Sequence, residues 1–296
     1  MATVLSMGSN FPSEVSRDIF NKARGKSSLA RMSAQEPIAF TGTDIWTFNF
    51  DNEVSVVGEN AAKENGGLTA APVTVKPVKV EYGARLSREF LYASEEKQLD
   101  MMQAFIDGFG RKLARGLDIM AMHGYNPKSN SASAIIGTNH LDSKSIEVVN
   151  AAGNLDVAIP AALVQLGDVD ANGVIMSREA ANVLAALTNG TDGPDKYPEL
   201  RWGANPETVN GLRVDINSTV SKNTNAVGYI GDWDAFRWGY ARDIEMSVIE
   251  YGNPDNDATA GDLAGHNQIY LRGEAFIGWG ILDANAFARI VKVAST

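Results

Sequence analysis

The chain contains no cysteine and only three histidines among its 296 residues. Disulfides, thiolate metal sites and cysteine nucleophiles are therefore excluded, and the fold must be stabilised by packing or by assembly. None of the histidines, His123, His140 and His266, has the paired i, i+4 spacing with a nearby Glu that zinc hydrolases use. We expect no cofactor and no metal.

Positive charge and long apolar runs are also scarce. The 26 Lys and Arg residues are outnumbered by 36 Asp and Glu residues, which gives a formal net charge of -10. General attraction to a phosphate backbone is not expected at this charge. No stretch approaches the roughly 18 consecutive apolar residues of a membrane-spanning helix, and no secretory signal is visible at the start. A membrane partner is not expected, and synthesis in the cytosol is the default.

The sequence contains only partial matches to known catalytic and binding motifs. The tripeptide Gly25-Lys26-Ser27 lacks the Gly five residues earlier that a phosphate-binding loop requires, and no Gly-x-Ser-x-Gly elbow occurs. The acidic loop 255–260 matches a calcium loop only at its start. One enzymatic alternative stays open: a soluble hydrolase that uses carboxylates such as Asp232 and Asp234, which requires a pocket and a raised pKa.

The clearest strand signal lies between residues 46 and 56. The apolar side chains all fall on even positions, namely Trp46, Phe48, Phe50, Val54 and Val56, whereas every odd position is polar. This alternation predicts a strand with one apolar face. A turn-rich stretch over 58–67 and a returning strand over 73–82 complete a ribbon. At Pro77 the apolar residues of this strand change from odd to even positions, which indicates a bulge or an edge position.

Such a ribbon is unstable by itself. Two strands of about ten residues reach roughly 30 Å, and an isolated pair is only marginally stable in water. The apolar face with Trp46, Phe48 and Phe50 must therefore lie on something else. We infer that another subunit covers it.

A long helix is predicted over residues 94–123. Its apolar residues recur at intervals of three and four: Leu99, Met102, Ile106, Phe109, Leu113, Leu117 and Met120. Ser94 is the candidate N-cap, and Gly124 is expected to end the helix. We attribute Gly108, Gly110 and Gly116 to close packing or bending, because glycine inside a helix is otherwise unfavourable.

The remaining segments alternate between helix and strand. We predict a polar N-terminal arm with a short helix over 13–24, a helix over 157–166, a buried strand over 174–176 and a helix from Ser177 to Leu187. Two β-rich regions follow, over 229–251 and 268–281, with a loop over 253–265 between them. The fold class is therefore α+β.

Several short motifs, in this order, resemble one family. They are Glu36-Pro37-Ile38, Val56-Val57-Gly58-Glu59-Asn60-Ala61-Ala62-Lys63, Ser87-Arg88-Glu89-Phe90-Leu91, Ala114-Arg115-Gly116-Leu117-Asp118, Gly231-Asp232-Trp233-Asp234 and Leu271-Arg272-Gly273-Glu274. Together with the order of the predicted elements, they make the chain resemble the major capsid proteins of tailed bacteriophages that share the Hong Kong phage fold. The resemblance covers roughly residues 30–293.

The resemblance implies a division of the chain and a mechanical function. Residues 1–45 would be the N-terminal arm, 46–83 the E-loop ribbon, 84–145 the peripheral domain with the spine helix, 146–238 the axial domain, 239–284 further strands of the peripheral domain, and 285–296 a C-terminal strand of the axial domain. The protein would be no enzyme. It would self-assemble as pentamers and hexamers into an icosahedral virion shell in the host bacterial cytoplasm, and this shell would enclose DNA without reading its sequence.

The resemblance also implies partners. A separate scaffolding protein is expected, because the scaffolding segment that precedes the arm in some family members is absent from this sequence. A portal protein is a further expected partner, and a decoration protein is another candidate. The nearest alternative is the shell of an encapsulin-like bacterial nanocompartment, which encloses an enzyme.

Some family members join subunits by an isopeptide bond. Their motifs place Lys63 of the E-loop, Asn267 of the peripheral domain and an assisting Glu274 at the matching positions. In that reaction the lysine amine attacks the amide while the carboxylate takes up a proton. The alternative is that these residues make ordinary polar contacts between subunits. Glu59 and Lys63 would then be contacts of the loop, and Glu274 would pair with a basic residue such as Arg272 across subunits.

Overall fold

The computed structural model describes residues 26–50, 52–63, 65–150, 154–190, 193–242 and 244–293. The helix predicted over 13–24 lies outside these residues. The helices are α1 (Ser28–Met32), α2 (Glu95–His123), α3 (Leu141–Lys144), α4 (Leu155–Leu166) and α5 (Arg178–Ala185). No helix in the described part of the chain is long and apolar enough to cross a membrane.

The strands of the first half are β1 (Ala34–Gln35), β2 (Thr43–Phe50), β3 (Leu68–Val75), β4 (Val78–Ser87), β5 (Tyr125–Asn126), β6 (Ser131–Ala132) and β7 (Ile146–Val149). Those of the second half are β8 (Gly173–Met176), β9 (Thr208–Val209), β10 (Leu212–Ile216), β11 (Ala226–Gly231), β12 (Phe236–Tyr240), β13 (Glu245–Ile249), β14 (Gln268–Ile281) and β15 (Phe287–Val291). The fold is thus the mixed α+β class that the sequence predicts.

Two larger sheets organise the chain. The five-stranded sheet is built around β14, which pairs antiparallel with β4, β12 and β13, while β1 joins β12 in parallel. The six-stranded sheet has the order β7-β15-β11-β8-β10-β9. The chain leaves the six-stranded sheet at Gly231 and enters the five-stranded sheet at Phe236. The expected boundary at residue 238 falls inside β12, and the division into domains stays a prediction.

The six-stranded sheet is buried on both faces. Val174 and Met176 of β8 pack with α4 and α5 on one face, whereas Ile175 belongs to the core around α2 on the other. Three fully buried tryptophans, Trp233, Trp238 and Trp279, extend that second core to the five-stranded sheet. The apolar run of β8 is the sequence signature of a strand covered on both sides.

Helix α2 spans the predicted residues and ends at Gly124, which has a left-handed φ of 69°. Ser94 occupies the N-cap position, but its side chain makes no capping hydrogen bond. The predicted apolar residues are buried except Leu99, which is half exposed. Among the described residues outside the neighbouring helical backbone, no atom lies within 4 Å of the position that a Cβ on Gly108 would occupy, so this glycine serves no close packing there.

The ribbon differs from its prediction in two respects. Strand β2 ends at Phe50, and Val54 and Val56 lie in irregular chain beyond it. The returning strand is two strands, because Lys76 and Pro77 separate β3 from β4. Strand β3 pairs with β2, whereas β4 pairs with β14. The parity change at Pro77 marks the place where the chain passes from one sheet to another, at a residue that has no N–H to donate.

Candidate assembly surface

Strands β2 and β3 form a ribbon that pairs with no other strand in the part of the chain that the structure describes. The register runs from Thr43 opposite Val75 to Phe50 opposite Leu68. Val75 at the base is buried, and a Cβ on Gly280 of β14 would lie 2.6 Å from its Cγ2. A glycine is therefore required at this point for the base of the ribbon to approach the sheet.

The aromatic side chains of the ribbon are exposed. Trp46, Phe48 and Phe50 lie on one face of β2 and are 59%, 60% and 82% exposed. Burial of such a side chain is worth roughly 1.5–3 kcal/mol. A contiguous exposed apolar surface of this kind marks a contact with another molecule.

The ribbon tip carries the two predicted polar contacts. The Asn52 side-chain amide donates a 2.8 Å hydrogen bond to the carbonyl of Gly66 and holds the two arms of the tip together. Glu59 and Lys63 project from this tip and are exposed. Among the described residues neither makes a hydrogen bond or an ion pair, so both are available to a neighbour.

Asn267 lies just before β14, whereas Glu274 lies in the middle of that strand. Asn267 is exposed just before β14 with a left-handed φ of 53°, and its carbonyl accepts a 2.8 Å hydrogen bond from the Arg88 N–H. Glu274 is seven residues further on, which corresponds to about 23 Å of extended chain. One subunit does not bring these two residues together.

Glu274 already has cationic neighbours within its own subunit. Its Oε1 lies 3.0 Å from Lys79 Nζ and 3.2 Å from Arg272 Nε, although the second contact lacks hydrogen-bond alignment. Arg272 therefore lies close to Glu274 within one subunit.

Arg85 of β4 organises the loop that leads to Asn267. Its guanidinium donates to Asn253 Oδ1 at 2.7 Å, to both carboxylate oxygens of Asp255, to the carbonyls of Ala260 and Gly261 at 3.2 and 3.0 Å, and to Gln268 Oε1 at 3.0 Å. The hydrogen bonds from Arg85 lower the pKa of Asp255 to about 2. The loop predicted over 253–265 is thus held at a fixed position by one side chain.

A buried carboxylate fixes the segment that enters α1. Asp118 of α2 accepts hydrogen bonds from the Ser27 hydroxyl at 2.6 Å, the N–H groups of Ser28 and Leu29 at 3.1 and 3.2 Å, and the Asn217 amide at 2.8 Å. Burial raises the pKa of Asp118 to about 7, although the hydrogen bonds from Ser27, Ser28 and Leu29 oppose the rise. The carboxylate joins the N-terminal segment, α2 and the residue that follows β10.

A second polar cluster joins the end of α2 to the six-stranded sheet. His123 Nδ1 lies 2.8 Å from Asp142 Oδ2, and its Nε2 lies 2.8 Å from the Thr219 carbonyl oxygen. Asp142 also accepts from the Tyr229 hydroxyl at 2.6 Å and pairs with Arg289 at 3.1 Å. Burial opposes its ionisation, but these partners lower the pKa of Asp142.

Asp232 and Asp234, the candidate carboxylates of a hydrolase, have structural roles. Asp232 Oδ1 accepts from the Asp234 N–H at 3.0 Å and from the Asn172 amide at 2.6 Å, which caps the turn before β12. No group of three or more potential metal ligands occurs among the described residues. Sequence reasoning missed Arg85 and the buried role of Asp118, because their partners lie far away in the chain.

The fold and its uncovered ribbon define a subunit that is completed by association with others. The chain belongs to the Phage capsid family, whose sequence profile matches residues 8–292. It is a structural subunit of an icosahedral phage shell and not an enzyme, and its place is the virion capsid. The prediction from the motif order is confirmed.

Solved structures show the same fold. A chain from Mycobacterium phage Ogopogo is 33% identical, with 90% of this chain and 92% of that chain covered and a TM-score of 0.77. One from Gordonia phage Cozz is 25% identical, with coverage of 91% and 87% and a TM-score of 0.74. The capsid of an empty GTA particle shares the fold at 15% identity, with coverage of 91% and 90% and a TM-score of 0.66. No curated protein matches the chain in sequence.

Proposed function

We propose that the shell consists of pentamers and hexamers of this chain and encloses packaged double-stranded DNA. The observation that carries the proposal is the ribbon, whose apolar side chains Trp46, Phe48 and Phe50 are exposed in the single subunit. A neighbouring subunit that covers them removes apolar surface from water and stabilises the ring. Each subunit would then extend its ribbon over the next.

The charge of the chain suits a container for DNA. A formal net charge of -10 disfavours adhesion of the phosphate backbone to the wall. The DNA would therefore be enclosed without sequence-specific contacts. A separate scaffolding protein and a portal protein are proposed partners, with a decoration protein as a further candidate; these three rest on family resemblance alone.

The polar residues at the ribbon tip and on β14 are proposed as contacts between subunits. Lys63 and Glu59 are exposed and without partners among the described residues, and Asn267 is exposed on a fixed loop. Since Asn267 and Glu274 lie about 23 Å apart along their strand, a joint site with Lys63 needs residues from more than one subunit.

A covalent link at this site would require specific bonds to form and break. The Lys63 Nζ would attack the Asn267 side-chain carbonyl carbon, the bond from that carbon to the amide nitrogen would break, and ammonia would leave while Glu274 takes up the lysine proton. Within one subunit, however, Glu274 lies about 23 Å along the chain from Asn267, and its carboxylate contacts Lys79 and Arg272. The contact is therefore proposed as non-covalent.

Electron microscopy of the purified chain, with and without co-expressed scaffolding protein, tests the proposal. Closed shells or rings of five and six subunits are expected, and discrete monomers or dimers under both conditions would contradict it. A denaturing gel of the same particles tests the link. Bands at the monomer position alone are expected, whereas a ladder that disappears in Lys63→Arg, which keeps the charge, would establish a covalent bond.

A further inference from the structure

The exposed charged side chains in the second half of α2 are all positive. Arg111, Lys112 and Arg115 are exposed and, at 3.6 residues per turn, lie within an arc of about 100° around the helix. Leu113 and Leu117, on the opposite side of the helix, are buried. In a chain with a formal net charge of -10, three cations on one side of a helix form a distinct local surface.

The segment before α1 adds a fourth cation beside this surface. The Ser27 hydroxyl donates to Asp118, which lies one turn beyond Arg115, and Lys26 directly before Ser27 is exposed. The nearest carboxylates do not neutralise these charges by direct contact: Asp118 is buried, and Asp107, one turn before the cations, is partly buried. We call this set the basic face: Lys26, Arg111, Lys112 and Arg115.

The side chains of the basic face have almost no partners of their own. Among the described residues, none of the four forms an ion pair. One hydrogen bond occurs, 3.5 Å long, from Arg115 to the Ser218 hydroxyl. A cluster of like charges without counterions in its own subunit fits a ligand of opposite charge.

Gly108 lies in the middle of the same arc. Outside the neighbouring helical backbone, no described atom lies within 4 Å of the position that its Cβ would occupy. Glycine inside a helix is less stable than alanine, and no packing in the described part of the subunit requires it here. The helix backbone is therefore bare beside the cations, which allows a bulky chain from outside to approach it closely.

The composition of the basic face favours a phosphate backbone over a protein surface. The nearest large apolar side chain of α2 that is exposed, Met101, lies ten residues before Arg111, about 15 Å along the helix. Protein interfaces have an apolar core that is poor in charged residues, whereas interfaces with DNA are more polar and more positive. Arginine also presents paired donors that match the oxygens of a phosphate.

The dimensions of the basic face suit a duplex. The helix rises about 10 Å from Gly108 to Arg115, and each DNA strand carries one phosphate for about 3.4 Å of axis, so about three phosphates of a strand span it. We propose that the basic face lies on the inner wall of the shell and binds backbone phosphates of the enclosed DNA. This contact rests on the proposed function and names the surface that touches the DNA.

The net negative charge of the chain does not prevent this contact. At an ionic strength of 0.1 M, exposed charges more than about 10 Å apart are largely screened from one another. A phosphate at the basic face therefore interacts mainly with the four local cations, while the rest of the chain still disfavours adhesion. Phosphate contacts carry no sequence information, so the contact is independent of sequence.

Binding of duplex DNA to the full-length chain before assembly tests the contact. Two labelled duplexes of unrelated sequence and about 30 base pairs are titrated from about 25 to about 200 mM NaCl, and fluorescence anisotropy gives the affinity. We expect equal affinity for both sequences. The slope of log affinity against log salt should be roughly -3, because each of the three cations of α2 contributes about -0.9.

The variant Arg111→Gln/Lys112→Gln/Arg115→Gln removes these cations. It should bind about tenfold more weakly or worse at the lowest salt and lose most of the salt dependence. No binding by the parent at the lowest salt, or parental affinity in this variant, would overturn the contact. Tighter binding of polyglutamate than of the duplex at equal charge would overturn DNA as the occupant and point to an acidic protein segment.

A charge-matched control separates the basic face from net charge. Lys76→Gln/Lys144→Gln/Arg178→Gln removes three exposed cations outside the face that form no ion pair among the described residues. Its net charge equals that of the first variant, so it should bind within about twofold of the parent if the contact is local. An equal loss of affinity in both variants would overturn the contact.

Gly108 provides a test in which misfolding is not an explanation. The free space at this position lets Gly108→Glu and Gly108→Gln fold at least as stably as the parent. The two side chains have nearly the same size, but only Glu brings a negative charge to the basic face. Gly108→Glu should therefore bind the duplex several times more weakly than Gly108→Gln, and equal affinities would contradict the proposal.

Assembly distinguishes this contact from the proposed function. Normal shells of the parent, together with parental DNA affinity in the variant that lacks the three cations, would overturn the contact alone. A parent chain that forms neither rings nor shells under any condition would overturn the proposed function and, with it, the assignment of the basic face to an inner wall.

Discussion

The hydroxyl of Ser27 donates a 2.6 Å hydrogen bond to the carboxylate of Asp118, although the two residues are 91 positions apart. Asp118 also accepts from the N–H groups at the start of α1 and from Asn217 after β10. One carboxylate therefore connects the N-terminal segment with α2 and with the six-stranded sheet. Its protonation state contributes to the stability of this joint.

The Asp118 carboxyl gives the subunit a defined pH dependence. Its pKa in the fold is about 7, above its ordinary value of 3.8, because burial disfavours the charge. Between these values the folded state holds a proton that the unfolded state releases. The contribution of Asp118 to stability therefore falls as pH rises, by about 1.4 kcal/mol per pH unit.

The variant Asp118→Asn isolates this contribution. Urea denaturation measures the free energy of unfolding of the parent and of the variant at each pH. We expect the excess of the parent over the variant to decrease from about pH 5 to pH 7. A difference that is flat or increases with pH would show that the four hydrogen-bond donors keep Asp118 ionised.

Alanine substitution should change the free energy of unfolding in opposite directions at Gly108 inside α2 and at Gly124 at its end. At Gly124 the backbone is left-handed, and a Cβ would lie 2.5 Å from His140 Cδ2. Gly124→Ala should lower the free energy of unfolding by about 2 kcal/mol or more. Gly108 lies inside the helix with free space around it, so Gly108→Ala should raise that free energy by roughly 0.5–1 kcal/mol. Thermal unfolding of both variants measures the contrast, and equal shifts would refute it.

Arg85 should control the order of the loop over 252–267. Lysine keeps the charge at this position but cannot reproduce the planar set of donors that reaches Asn253, Asp255 and Gly261. Amide hydrogen exchange in the loop should become at least tenfold faster in Arg85→Lys, with exchange in α2 unchanged. The exposed Arg111→Lys is the matched control, and identical exchange in both variants would contradict this role.

Local patterns in the sequence were sufficient for the main elements. The alternation through Trp46, Phe48 and Phe50 predicts an amphipathic strand, and the spacing along α2 with Gly124 at its end predicts the helix within one residue. The sequence predicts a longer ribbon strand than the structure has, because Val54 and Val56 keep apolar side chains on even positions, whereas the described pairing ends at Phe50 and Leu68.

Other features depend on distant parts of the chain. The partners of Arg85 lie 168 to 183 residues away, and no local pattern indicates them. The sequence predicts a helix over 157–166, but most of the residues of α4 are apolar, so the pattern does not tell which side of the helix faces the sheet.

Assembly of a ribbon variant tests the central claim most directly. Phe48 is 60% exposed in the subunit, so Phe48→Glu should leave the unfolding temperature unchanged. On a neighbouring subunit, however, the new carboxylate would have to be buried, which is strongly unfavourable. Electron microscopy and sedimentation should show shells for the parent and for the exposed control Ile135→Glu, and only folded, unassembled subunits for Phe48→Glu. Shells of Phe48→Glu at the parental yield would contradict the assignment of the ribbon as an assembly surface.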